Sequence, residues 1–495
     1  MSTQLLKTAS THNTSLVGFF DGAVSRTMSA MASIGWTPLA RIAEKGVLDL
    51  MQKITVGHLQ VFTPSHIYDF PEQRDGMSSD GPFAKLRVVK DSFWIRLALM
   101  SDLGFAEAFM YGDVECDDLV ALFKIFLLNR EELAAMQSSP ISMLFNMSQR
   151  LTSIRFLNTL SDSRSNVSAH YDISNQMFQA FLSPDMSYSC AIFPTLDEDV
   201  ITEYKHHRLR EKEHFTPSSG NEPGNVDSTV LDSSKSSPDP EVPDELYEAQ
   251  MHKMRYLIEK LKIPEHSEKT IRVLEIGSGW GALAILLTQT YPFIEVDSIT
   301  LSSEQKSLAD ERICAAGVKA RARIWLMDYR SIPESWSGTF DRVISIEMVE
   351  AVGLEFLPTY WGVVERCMKP SEAVGVVQSS TMPEPRYANY IQGIDFIRKW
   401  VSSLYPAFFP GGHAPTATSL LDGLLKGGKS KLVVDNVENI GPHYARTLRE
   451  WRRRFLAKFE SDIIPALQRE YPDVFDDTTQ GRDEIEIFKR KWVYY

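Results

Sequence analysis

Basic residues are in short supply in this chain. Lys and Arg number 52 against 65 Asp and Glu, a formal net charge of −13. A general nucleic-acid binder needs a basic face, so nucleic acid is excluded as an expected partner. Cysteine is scarce as well. The four in the chain, Cys116, Cys190, Cys314 and Cys367, are scattered without a CxxC pair. That pattern excludes a disulfide scaffold and a zinc site, and no metal is expected. It fits a reducing compartment, with the cytoplasm as the expected location. No apolar run is long enough to span a bilayer. The densest, Leu119 to Leu128, is short and interrupted by Lys124. Residues 1–20 lack a continuous apolar signal-peptide core. They are rich in Ser and Thr and poor in acids, a composition that transit peptides share, and they read as a polar tail.

What is present is enough for a full core. The chain has 495 residues, 43% hydrophobic and 24% charged, an ordinary globular balance at a length that implies two or three compact units. Residues 1–60 read as the tail followed by a helix around Thr37–Ile54, whose apolar residues recur at helical spacing. Residues 61–150 read as a small α+β domain, with β-like runs at Lys85–Val89 and Ser92–Leu97 and a helical stretch at Leu119–Met136. Residues 151–215 read as a helical cap. Residues 216–245 are crowded with Pro, Ser, Gly and acids. They cannot bury enough apolar surface to offset their ordering entropy and are expected to form a disordered acidic linker.

From residue 246 onward the pattern alternates. RVLEI, FIEVDSITL, ARIWLMD, DRVISIE and AVGVVQSS are apolar runs of strand length, separated by helical stretches. Such alternation implies an α/β fold with a parallel sheet covered on both faces. An aromatic-rich insertion, 386–425, interrupts it; Tyr390, Phe396, Trp400, Tyr405, Phe408 and Phe409 are candidates to line an apolar pocket. KLVVDNVENI then reads as a resumed strand and TLREWRRRFLAKF as a helix.

The sharpest local signal is VLEIGSGWGALA, residues 273–284. A strand runs into Gly277, Gly279 and Gly281, and a helix begins. Glycines let the backbone turn tightly and approach a ligand without a Cβ clash. Glu275 stands two residues before the first glycine, where a carboxylate can face the cationic end of S-adenosylmethionine. The spacing is GxGxG rather than the dinucleotide GxGxxG. A methyltransferase is therefore the leading reading. Asp297, placed where a ribose-binding acid is expected, keeps an NAD enzyme as the other.

Several motifs then converge in order: HYDISNQMF, SPDMSYSCAIF, VLEIGSGWG, ITLSSEQ, MDYR, DRVISIEMVEAVG, FFPGGHAP and ENIGPHYARTLREW. Together they resemble the cyclopropane fatty acid synthase and mycolic acid cyclopropane synthase family. DSFWIRLALMSDLGFAEAFMYGDVECDDL, within residues 85–122, resembles the family's N-terminal domain. ISIEMVEAVG and PEPRYANY look more like eukaryotic members. The resemblance implies a class I S-adenosylmethionine methyltransferase (Rossmann-like) sheet with a smaller N-terminal α+β domain. It implies transfer of a methyl or methylene group from S-adenosylmethionine to the cis double bond of an unsaturated phospholipid acyl chain, giving a cyclopropane or a methyl branch. The enzyme would then work at a membrane surface as a peripheral protein, with a homodimer among the assemblies allowed. The alternatives are methylation of another lipid or small molecule, or an inactive cofactor binder.

Residue by residue, the resemblance assigns Tyr188, Ser189, Gly277, Gly279, Thr300, Leu301 and Gln305 to the cofactor, beside Glu275. It assigns Asp328 and Tyr329 to the adenine. Cys190, Glu350 and Tyr444 match residues that hold a bicarbonate ion near the reacting carbon, and Gln378 stands where bacterial members carry His. Glu347 reads as a helix cap or solvated residue. The family's last antiparallel strand has no counterpart before the chain ends at KRKWVYY, so the sheet is expected to be one strand short. The run Arg446, Arg449, Arg452, Arg453 and Arg454 reads as a solvated helix face, as do His206 and His207; His413 reads as a packed turn residue.

Overall fold

The computed structural model describes residues 37–71, 81–133, 175–200, 244–393, 395–397 and 413–495. The chain forms two compact units. One gathers residues 1–155, 389–401 and 474–495; the other gathers 156–388 and 402–473.

In the first unit, α1 (Thr37–Met51) precedes a four-stranded sheet of β1 (His58–Phe62), β2 (Ile67–Phe70), β3 (Phe83–Val88) and β4 (Val114–Cys116) in the order β2-β1-β3-β4. β3 alternates buried and exposed residues along its length, so Ala84, Leu86 and Val88 face the core. α2 (Ser92–Met110) and α3 (Leu119–Leu128) complete the layer. The run Ser92–Leu97, expected to be β-like, is the first turn and a half of α2. Phe93, Trp94 and Leu97 are all buried, and that spacing is a helix face rather than a strand's alternation. The C-terminal helix (Thr479–Tyr494) belongs to this unit, not to the parallel sheet's domain as the sequence suggested. Its Tyr494 ring lies 6.4, 6.1 and 5.9 Å from the rings of Phe105, Phe109 and Phe123. Of the insertion aromatics, Tyr390 and Phe396 fall among the described residues. Both segregate with the first unit, and Phe396 packs on Tyr494 at 4.5 Å instead of lining a pocket of the sheet domain.

In the second unit, α4 (Asn175–Phe181) and α5 (Glu245–Lys260) precede the sheet. Asp244 caps α5 by accepting from the Tyr247 N–H at 3.0 Å, so helix begins inside the stretch 216–245; the rest of that stretch lies outside the described residues. Then come β5 (Ile271–Ile276), α6 (Ala282–Thr290), β6 (Ile294–Thr300), α7 (Ser303–Ala315), β7 (Ala322–Leu326), β8 (Arg342–Ile346), α8 (Leu357–Cys367) and β9 (Val374–Gln378). All pairings are parallel, in the order β7-β6-β5-β8-β9. Both faces are covered. Val273 and Ile344 join a core with α5, α6 and α7, while their neighbours Leu274 and Val343 join a core with α8. This two-sided burial is why the strands read as near-continuous apolar runs.

KLVVDNVENI does not resume the sheet. Residues 431–440 pair with no strand, and Val433 and Val437 stand in solvent. Ion pairs hold the stretch by its charges instead: Lys431 to Glu365 at 2.6 Å, Asp435 to Lys262 at 2.7 Å and Glu438 to Lys260 at 2.5 Å. Apolar alternation makes a strand only where a neighbour satisfies its backbone groups. Helices α9 (Glu384–Gln392), α10 (Ala417–Gly427), α11 (Pro442–Lys458) and α12 (Ile464–Glu470) follow β9.

The arginine run on α11 is largely intramolecular, which corrects the solvated reading. Arg446 is buried and donates to the Thr195 carbonyl at 2.6 Å and to Glu245 at 2.7 Å. Arg449 pairs with Asp199 at 2.6 Å, and Arg454 with Asp244. Arg452 and Arg453 keep exposed positions. His413 donates its backbone N–H to the Glu350 carbonyl and pairs through Nε2 with the Tyr387 hydroxyl at 2.8 Å. His206 and His207 lie outside the described residues.

Candidate active site

The carboxyl ends of parallel strands are where an open α/β sheet binds ligands, because the loops diverge there. Each of the five strands here delivers a site residue at that end. β5 runs into the glycine loop, β6 ends at Thr300, β7 leads to Asp328 and Tyr329, β8 is followed by Glu347, and β9 ends at Gln378.

Gly277, Gly279 and Gly281 all adopt positive φ, at +100°, +49° and +82°. A Cβ at Gly277 would stand 3.1 Å from the Met348 Cβ, and one at Gly281 would stand 3.2 Å from the Ala309 Cβ. At Gly279 a Cβ would meet nothing within 4 Å, because the loop opens there onto a cavity. Ser302 caps α7 by accepting from the Gln305 N–H at 3.1 Å, which holds the Gln305 amide oxygen 2.8 Å from the Thr300 hydroxyl that donates to it.

The cap segment before the linker is tied down at several points. The Gln250 amide on α5 donates to the Ser189 carbonyl at 2.7 Å, and Lys253 Nζ donates to Ser189 Oγ at 2.7 Å. The Ala191 N–H donates to the Thr447 hydroxyl at 3.1 Å. Tyr188 stacks on Trp451 at 4.9 Å and meets Phe178 edge-on at 5.2 Å. Trp280 is buried and donates to Asn175 at 2.8 Å, linking the glycine loop to α4.

All ten residues expected to touch the cofactor line this one cavity: Tyr188, Ser189, Glu275, Gly277, Gly279, Thr300, Leu301, Gln305, Asp328 and Tyr329. Two observations fit an aminoacyl-nucleoside cation there. The loop glycines leave room for a ligand, and Glu275 Oε2 is buried without a hydrogen-bond partner. Burial pushes the Glu275 carboxyl up to about 8. Asp328 accepts from Arg330 at 2.9 and 2.7 Å, so its charge is already matched. Asp297, the acid that kept an NAD enzyme open, is not in the cavity. It is buried three residues inside β6, bound to Arg272 at 2.7 Å and to the Trp325 indole N–H at 3.0 Å.

Cys190, Gln378 and Tyr444 are brought together, but around a residue the sequence reading passed over. Glu347 is neither a helix cap nor solvated. Its Oε1 accepts from the Cys190 backbone N–H at 2.9 Å and from the Gln378 amide at 2.8 Å, and its Oε2 accepts from the Tyr444 hydroxyl at 3.2 Å. Glu347 is also among the residues that line the cofactor cavity. Burial raises its carboxyl, opposed by these donors and by Lys253. Glu350 lies one 3₁₀ turn on, and its hydrogen bonds run elsewhere than to Cys190 or Tyr444. Its Oε1 accepts from the Ser380 N–H and, at 3.2 Å, from the Ser379 hydroxyl, while its Oε2 is buried without a partner. Burial, reinforced by the neighbouring Glu347, pushes the Glu350 carboxyl up to about 8. Burial and Glu347 together push the Cys190 thiol up to about 12, so it stays protonated.

Lys253 is the second residue missed. It is buried, lines the cavity, and has its ammonium pulled below the usual lysine range by desolvation. The signal was available. Gln250 and Lys253 fall on the same stripe of α5 as Leu246, Ala249, Met254 and Leu257, and a polar residue on an apolar face calls for a partner. Glu347 had a signal as well, since it is the first residue beyond a strand of the parallel sheet.

Comparison with known proteins gives a consistent picture. A family model described as "Mycolic acid cyclopropane synthetase" matches residues 158–216 and 239–484, passing over 217–238 within the acidic linker. The chain is 31% identical over 359 residues to the tuberculostearic acid methyltransferase of Mycobacterium tuberculosis, covering 72% of this chain and 69% of that one. It is 26% identical over 430 residues to the cyclopropane-fatty-acyl-phospholipid synthase of Escherichia coli K12, covering 85% of each. Among solved structures, a cyclopropane synthase of Mycobacterium tuberculosis superposes with a TM-score of 0.45 at 20% identity, over 68% of this chain and 93% of that one.

Proposed function

The chain belongs to the mycolic acid cyclopropane synthetase family, and from that premise we propose that it transfers a one-carbon unit from S-adenosylmethionine to the cis double bond of an unsaturated phospholipid acyl chain, leaving a cyclopropane or a methyl branch. The observation that carries this reading is a single cavity lined by both the glycine loop and the part-buried Glu347. Among the described residues no helix is long and apolar enough to cross a membrane, so the enzyme would have to meet the acyl chain at a bilayer surface.

When bound, S-adenosylmethionine supplies an electrophilic methyl sulfonium. The chain's residues do the rest. Glu275 would offer its unpartnered oxygen to the ammonium, and the glycine loop would let backbone come close to the ligand. An alkene is a poor nucleophile, so these contacts serve to hold the methyl carbon in line with it. Trp280, Ile299 and Val352 give the cavity apolar wall, which keeps water from capturing a cationic centre on the lipid.

The raised Glu275 carboxyl gives a signed prediction. In the free protein it holds a proton up to about pH 8, and pairing with an ammonium favours its ionised form. Cofactor binding should then release a proton below that pH. The dissociation constant of S-adenosylhomocysteine is expected to fall as pH rises from about 6 to about 7.5, by at most about tenfold per unit, while the ligand amine stays charged. Calorimetry in buffers of different ionisation enthalpy checks both slope and proton release. A flat profile removes Glu275 from ammonium recognition.

The function itself is tested by expressing the chain in a host that makes no cyclopropane lipids and profiling its fatty acids by mass spectrometry. New acyl chains heavier by one CH2 are expected. Cofactor binding with an unchanged lipid profile, or methylation of a soluble small molecule instead, overturns the reading.

A further inference from the structure

Of the four residues assigned to a bicarbonate site from sequence, three already bind another group, Cys190 through its backbone N–H rather than the expected thiol. The Cys190 N–H, the Gln378 amide and the Tyr444 hydroxyl come from three separate segments and close on one side chain, Glu347. A bicarbonate ion at that place would find its donors taken and a carboxylate in front of it. The site therefore does not fit the ion. We propose that the carboxylate of Glu347 itself stands where bicarbonate was expected and accepts the proton released by the reaction. This rests on the function proposed above.

Three features carry the assignment. First, Glu347 is part of the cavity wall, whereas Cys190, Glu350, Gln378 and Tyr444 stand outside it. Glu347 thus borders the place where the reaction would occur, while the residues that donate to its carboxylate are not in the cavity wall. Second, Glu347 sits at φ +47°, a left-handed conformation uncommon for a residue with a Cβ. Backbone held in that state by its surroundings is a feature of functional sites. Here the pairing of β8 with β9 holds it, through the Glu347 N–H donating to the Gln378 carbonyl at 2.9 Å. Third, the charge of Glu347 acts on Glu350, three residues on, and two such coupled carboxyls do not both ionise readily. Glu347 has three donors and the nearby Lys253. Glu350 has two donors on one oxygen and none on the other. The negative charge is better supported on Glu347, leaving Glu350 to hold a proton.

The balance is simple. The alkene π pair forms a bond to the transferred carbon as its bond to sulfur breaks, the electron pair leaving with a neutral thioether. A cationic centre remains on the other alkene carbon, stabilised by the adjacent Glu347 carboxylate. Glu347 then takes a proton from the transferred carbon, and the freed C–H pair closes the ring. One lipid alkene and one sulfonium give one cyclopropane, one thioether and one proton, now on Glu347.

The test compares the full-length wild type with Glu347→Gly and Glu347→Gln, using S-adenosylhomocysteine calorimetry as the control for a folded cofactor site. Glycine suits the left-handed backbone at this position and leaves the three donors free. Glutamine fills the space without a base. Two readouts are used: binding of 13C-labelled bicarbonate by NMR, and lipid product formed in bicarbonate-free buffer with and without added bicarbonate. The wild type is expected to bind no bicarbonate and to need none. Glu347→Gly should lose about a hundredfold in rate, bind bicarbonate and recover at least about tenfold when it is added. Glu347→Gln should be slow and not rescued. Bicarbonate binding by the wild type, a bicarbonate requirement in the wild type, or full activity of Glu347→Gly without bicarbonate each overturns the proposal. If no preparation forms a lipid product, the functional reading has failed. The binding arm then still decides: bicarbonate held by Glu347→Gly and not by the wild type upholds the replacement, and any other pattern overturns it.

Discussion

Gly279→Leu abolishes cofactor binding while leaving the fold in place. The position separates the two effects better than its neighbours do. Its φ of +49° costs a leucine roughly 1–2 kcal/mol of backbone strain. A Cβ there touches nothing within 4 Å, so the core is not disturbed. At Gly277, by contrast, the new atom would press on Met348, and a loss of binding could not be told from a displaced loop. The leucine at 279 has only the cavity to enter, beside Glu275 and Thr300. The expected loss of S-adenosylhomocysteine affinity is at least about a thousandfold, about 4 kcal/mol, measured by calorimetry with circular dichroism as the folding control. Affinity within tenfold of the wild type refutes the assignment of the loop.

Arg96→Ala is expected to have the largest effect on stability. The Arg96 guanidinium donates to Glu107 at 3.0 Å and to Asp113 at 3.0 Å, and all three side chains are nearly inaccessible. Asp113 also accepts from the Ser92 hydroxyl at 2.8 Å and lies 3.3 Å from Lys90 Nζ. Removing the arginine takes the buried cation away from two carboxylates, of which Asp113 keeps the exposed Lys90 as a cation beside it. Breaking such a buried cluster from one side costs about 3–5 kcal/mol, far more than the cluster's net worth against an apolar replacement. Arg96→Met should be destabilised nearly as much, because it restores volume but not charge. Replacing all three with apolar residues should recover most of the loss. Urea unfolding checks the series, and a change under about 1 kcal/mol for Arg96→Ala contradicts the argument.

The legible parts of this molecule were those in which local sequence and final environment agree. The central strands β5 and β8 announced themselves because burial on both faces favours apolar residues along most of their length, and the strand–helix alternation around them carried β6, β7 and β9. The glycine loop announced itself because its backbone conformations exclude most other residues. The misread parts depended on partners distant in sequence. Ser92–Leu97 is aromatic enough to suggest a strand, but its packing follows a helix. Residues 431–440 alternate like a strand and find no neighbour to pair with. The arginines of α11 looked like a wet face because Asp199, Asp244 and Glu245, their partners, lie 201 to 250 positions upstream. Glu347 was passed over for the same reason, since Cys190, Gln378 and Tyr444 declare its role only when folded around it.

The packing of residues 479–494 into the first unit has a consequence for how the polypeptide is made. Tyr494 packs against Phe105, Phe109 and Phe123, so that core joins residues translated roughly 370–390 positions apart. At about 5–20 residues per second, Tyr494 is added roughly 20–80 seconds after Phe123. Until then the apolar face that it covers stays open, and during that interval this unit is exposed to aggregation and dependent on chaperone cover.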